Sequence, residues 1–90
     1  MAQLNFTQNG LAWISDEISV SSDFNLHIER EKPVQLNIMQ KTRGEKWADI
    51  IEAERYANKT VIDVDIQVLI PKKIKVISYS KVTSAEYTTA

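Results

Sequence analysis

The chain contains no cysteine, so disulfides and thiolate metal sites are excluded and the redox compartment cannot be read from it. With a single histidine, His27, there is no zinc-binding pattern either. Long apolar runs are also missing. The longest wholly aliphatic stretch is Val68-Leu69-Ile70, so no membrane span is expected. The opening residues MAQLNFTQNG have neither the basic region nor the apolar run of a secretory signal. Synthesis in the cytoplasm is therefore expected, and incorporation into a larger particle would need no signal. Glycine and proline are scarce, two of each, so most turns must be built from Asn, Asp, Ser and Lys.

Charge is nearly balanced, at −1, but unevenly placed. Met1 to Ile28 holds Asp16, Glu17 and Asp23 without a Lys or Arg, whereas Pro71 to Lys81 holds Lys72, Lys73, Lys75 and Lys81 without an acid. A nucleic-acid partner is not expected: there is no basic excess, and these lysines lack arginine and interleaved aromatics apart from Tyr79. They read instead as charge protecting an edge strand. Complementary ends suit head-to-tail contact between copies.

What the chain does have is alternation. In Asp23 to Gln40, Phe24, Leu26 and Ile28 alternate with Asn25, His27 and Glu29; beyond Arg30-Glu31-Lys32-Pro33, Val34, Leu36 and Ile38 alternate with Gln35, Asn37 and Met39. A strand points successive side chains to opposite faces, so each run is a half-buried strand, and the pair reads as an antiparallel hairpin joined by a polar connection. Leu4 and Phe6 suggest a first strand, with a turn at Gln8-Asn9-Gly10 where Asn and Gly tolerate positive φ. Leu11, Trp13 and the Ile18/Val20 pair continue as extended segments, and Lys41 to Glu45 forms a turn around Gly44. Thr60 to Gln67, Ile74 to Tyr79 and Val82 to Thr88 complete the set. Residues 46–57 fit either an amphipathic helix or a strand; a strand through about Ala53 followed by a loop is preferred, because short strands flank it. The expectation is a single all-β domain over residues 1–90, an antiparallel β-sandwich of about seven or eight short strands, immunoglobulin-like or of jelly-roll type.

Candidate chemistry is sparse. His27 shares a strand face with Asn25 and Glu29, a setting for acid/base work, but no Ser or Cys nucleophile and no glycine-rich loop accompanies it. Asp63 and Asp65 share a face and could ligate calcium only if about six oxygens converged; ordinary outward charge is the simpler reading. No catalytic residue, metal or cofactor is expected. Trp13 and Trp47 are the large anchors. Trp13 is expected in the core, while Trp47, beside a polar turn, and Tyr56 could offer a stacking platform to a surface glycan or an interface.

Three stretches, WISDEISVSSDFNLHIER (Trp13 to Arg30), LNIMQKTRGEKWADI and IKVISYSKVTSAEYTTA, together resemble the small all-β virion-surface proteins of tailed bacteriophages: head-fibre, decoration or tail modules. The resemblance implies an architecture and an oligomeric habit, with no site residues. It suggests a non-enzymatic structural subunit, a homo-oligomer (trimer or dimer) attached to a capsid or tail protein and carried into a virion. The alternative is a carbohydrate- or receptor-binding module, with Trp47, Tyr56, Trp13 and His27 as the residues placed to contact a ligand or partner.

Overall fold

The computed structural model describes residues 2–44, 46–50 and 58–89. Among them are ten antiparallel strands in two sheets. The front sheet has the order β1 (Ala2–Gln3), β10 (Val82–Thr89), β5 (Phe24–Arg30), β8 (Val61–Ile66). The back sheet runs β2 (Phe6–Asn9), β3 (Ala12–Ser15), β9 (Lys72–Ser78), β6 (Leu36–Lys41), β7 (Ala48–Asp49), with β4 (Ile18–Val20) also on β9. The sandwich is as expected; the higher strand count comes from β1 and β7, each two residues long.

The alternation sorts the side chains. Leu26, Ile28 and Ile62 from the front sheet meet Ile38, Ile74 and Val76 from the back, all essentially without exposure. Burying such stripes from two sheets stabilises the fold by about 25 cal/mol per Å2 of apolar surface removed from water.

The hairpin expected over Asp23 to Gln40 does not form. β5 lies between β10 and β8 in the front sheet, and β6 lies between β9 and β7 in the back, so the two stripes face each other across the core. The reason is Arg30. The parity that turns Phe24, Leu26 and Ile28 inward also turns Arg30 inward, where it is buried. Its guanidinium donates to the carbonyls of Lys59 (Nε, 3.0 Å), Gln35 (3.1 Å) and Val34, and to Ser78 Oγ (3.2 Å). Burial pulls the pKa of Arg30 down. These bonds draw residues 31–35 across the end of the slab as a link between sheets. Ser80 closes the same end, its hydroxyl accepting from Lys32 N–H (3.2 Å) and donating to Lys32 O (3.1 Å).

The first expected strand also divides between sheets. Leu4 is buried and its N–H bonds to Ala85 O at 2.9 Å, while the chain from Phe6 onward pairs with β3. At the β2–β3 turn only Gly10 takes positive φ (64°); Asn9 stays in β2. Gly44 has φ 71°, as expected of the turn residue; Lys41 still belongs to β6, and Glu45, the other end of the expected turn, lies outside the described residues. Ala48–Asp49 is a strand and Ile50 N–H continues its ladder to Ile38 O, whereas the rest of the expectation for residues 46–57 falls outside the described residues from 51 on.

Candidate functional site

The outer face of the front sheet is acidic. Asn25, His27 and Glu29 on β5 point outward beside Asp63 and Asp65 on β8 and Glu86 on β10, with His27 opposite both Asp63 and Glu86. His27 Nε2 lies 3.0 Å from Glu29 Oε2, and Nδ1 lies 3.1 Å from Asp63 Oδ2. Hydrogen bonds first to Glu29 and then to Asp63 favour the imidazolium and raise the pKa of His27 above its ordinary 6.5. Asn25 Nδ2 donates to Asp63 Oδ1 (2.6 Å) and Asp65 Oδ1 (3.0 Å). The bond from Asn25, followed by that from His27, holds Asp63 below its ordinary 3.8. With both ring nitrogens engaged, His27 ties two carboxylates together. Because those carboxylates lie on opposite sides of the ring, they do not converge on a cation, and among the described residues no group of three or more His, Asp or Glu is disposed to hold a metal ion.

The outer face of the back sheet carries the opposite charge. Lys73 and Lys75 project from β9 and Lys41 from β6, around the half-buried Ile14, Ile77 and Met39; Asp49 is the acid on β7. Trp47 lies on this face. Lys75 Nζ is 4.4 Å and Lys41 Nζ 5.2 Å from its ring centroid, both within cation–π range. Trp47 is thus half-buried beneath lysines and not an open stacking platform.

The edge-protection reading of the lysines does not hold. β9 is paired on both sides, with β3 and β4 on one and β6 on the other, so Lys72, Lys73 and Lys75 sit at the centre of the back sheet.

Trp13 is half-buried and not a core residue. It faces inward beside Ser78, but near the margin of the slab, where it lines two clefts; one of these also contains Leu11 (88% exposed), Tyr79 and Lys32. Tyr56 lies outside the described residues. The structure therefore brings none of Trp13, Trp47 and His27 together: Trp13 is at one end, Trp47 on the back face and His27 on the front. Sequence reasoning missed the gathering of acids and lysines onto opposite faces. Strand parity could have revealed it, since Asp63/Asp65 and Lys73/Lys75 are each spaced two apart and outward.

No protein-family model, curated protein or solved structure matches the chain.

Proposed function

We propose that this protein is a non-enzymatic structural subunit that associates head to tail, the acidic front face of one copy resting on the basic back face of the next. The observation that carries this reading is the sorting of charge by sheet: Glu29, Asp63, Asp65 and Glu86 on one outer face, Lys41, Lys73 and Lys75 on the other. The spacings also match. Asp63 and Asp65 are two residues apart on one strand, as are Lys73 and Lys75, so each pair is separated by roughly 6.5–7 Å along its strand. The half-buried Ile14, Ile77, Met39 and Trp47 supply apolar area beneath the lysines, as interface centres commonly do.

The contact joins two different surfaces, so copies add in one direction. They form an open stack or, if the contact is inclined, a ring such as a trimer. This suits a module repeated on a larger particle, and a virion is the particle we propose, on the resemblance of the sequence to head-fibre and decoration proteins of tailed phages. Light scattering coupled to size exclusion, over a range of concentrations, tests the reading. Mass should rise with concentration at low ionic strength and fall in about 1 M salt, where charges are screened beyond about 3 Å. A monomer at every concentration in low salt contradicts it.

A further inference from the structure

We infer that the end of the back sheet nearest the β8–β9 link is a binding site for a tetrahedral oxyanion, a phosphate or sulfate group, held by Lys41 and Lys73 with Lys72 at the wall. Each of these lysines lines one open cleft of about 420 Å3. Ser19, Ser21 and Thr42 add hydroxyls to it, and no acid lines it among the described residues.

The register makes this arrangement costly without an anion. Lys41 and Lys73 are direct cross-strand partners, with Ser19 opposite Lys73 on the other side, so Ser19, Lys73 and Lys41 form one row across three strands. Like charges directly opposite in a ladder destabilise a sheet. Lys72 precedes Lys73 in the chain and faces the slab interior, where its ammonium donates to Gln40 Oε1 at 2.7 Å. That bond holds the ammonium on Gln40, on the opposite side of the sheet from Lys41 and Lys73, so Lys72 adds positive potential at the wall of the cleft and not a direct contact. Neither Lys41 nor Lys72 nor Lys73 makes an ion pair among the described residues; Lys41 has the Trp47 ring at 5.2 Å, which offsets only part of the repulsion. A local conflict of this kind, kept at the centre of a sheet, marks a functional position more often than a packing error.

A doubly charged oxyanion supplies what is missing. Its oxygens can accept from the ammonium groups of Lys41 and Lys73 and from the hydroxyls, and charge-assisted bonds of this type are stronger than neutral ones. Gly44, at the rim, has positive φ and nothing within 4 Å of the position a Cβ would take, so the cleft is open on that side. The site belongs to a single copy and does not depend on stacking; a bound anion would compete with the acidic face of a neighbour for Lys73.

The test is a nuclear magnetic resonance titration of the full chain with inorganic phosphate, at ionic strength held constant with chloride and at a dilution where the protein is monomeric. The expected result is saturable shifts confined to the amides around Ser19, Ser21, Lys41, Thr42, Lys72 and Lys73. The double variant Lys41→Gln/Lys73→Gln should weaken binding by roughly tenfold or more, while Lys81→Gln, at the other end, leaves it unchanged. Without anion, the same double variant should melt at a higher temperature than the parent, which separates loss of binding from loss of folding. A parallel titration with a sulfated oligosaccharide identifies the source: tighter saturation than with phosphate assigns the site to esters on a polymer, and weaker saturation assigns it to free anion. Diffuse shifts that never saturate, or binding untouched in the double variant, overturn the proposal.

Discussion

At the scale of single residues, the outward and inward positions of β5 do different work. His27, on the outer side, bridges Glu29 and Asp63, and its effect on stability follows from the direction of its pKa. A raised folded-state pKa means the stabilisation is fully present below the unfolded value near 6.5 and is lost as pH rises through the folded value. Asp63, whose pKa is lowered, contributes above its unfolded value near 3.8 and loses that contribution as pH falls through the folded one. Both are present between those two values. His27→Gln should therefore lower the melting temperature most at about pH 5–6, and the difference from the parent should shrink toward alkaline pH. The effect will be small, since the cluster is partly exposed and screened. Arg30, on the inner side, matters more. Arg30→Met would leave the carbonyls of Lys59, Gln35 and Val34 and the Ser78 hydroxyl short of a donor, and chemical denaturation should show a loss of roughly 2–4 kcal/mol. Inward placement of Arg30 was legible in the chain, because it continues the parity of Phe24, Leu26 and Ile28. Its bonding was not, because its partners come from residues 4 to 48 positions away.

At the scale of elements, β9 organises the back sheet, pairing with β3 near one end, with β4 near the other and with β6 along its length. Between its β3 and β4 partners the ladder is interrupted, and Ser15 fills the gap. Its buried hydroxyl accepts from Val76 N–H at 2.7 Å and donates to Asp16 O at 3.0 Å. Ser15→Ala would leave the Val76 N–H buried without a partner, and equilibrium unfolding should show a cost of about 1–3 kcal/mol. Strand existence could be read closely from the chain, since Phe24–Arg30, Val61–Ile66, Lys72–Ser78 and Val82–Thr89 follow the alternating pattern. Strand pairing could not. Alternation states which side of a strand is apolar, and that is equally satisfied by two adjacent strands or by two strands facing each other across a core. The expected β5–β6 hairpin failed on this ambiguity, decided by the Arg30 link. The division of the first segment at Leu4 has the same origin: Leu4 and Phe6 are both apolar, yet the chain changes sheets between them.

At the scale of the whole molecule, strand order converts charges scattered along the chain into two opposed faces. The acidic face gathers Glu29, Asp63, Asp65 and Glu86 from β5, β8 and β10, and the basic face residues from β6 and β9; Asp16, Glu17 and Asp23 of the acidic N-terminal stretch are not among them, so the asymmetry of the slab comes from strand pairing and not from the ends of the sequence. His27 links the scales, since its proton offsets part of the negative charge presented by Glu29, Asp63, Asp65 and Glu86. Association should accordingly strengthen as pH rises through the raised pKa of His27, even as the subunit itself loses the His27 contribution to stability. The most direct test of head-to-tail stacking pairs two charge reversals, Asp65→Lys on the front face and Lys75→Glu on the back, measured by light scattering alone and mixed. Each variant keeps one intact face, so each should be monomeric by itself, and an equimolar mixture should form a capped one-to-one dimer. If the mixture stays monomeric while the parent associates, or if either variant alone associates as the parent does, the two faces are not each other's partners.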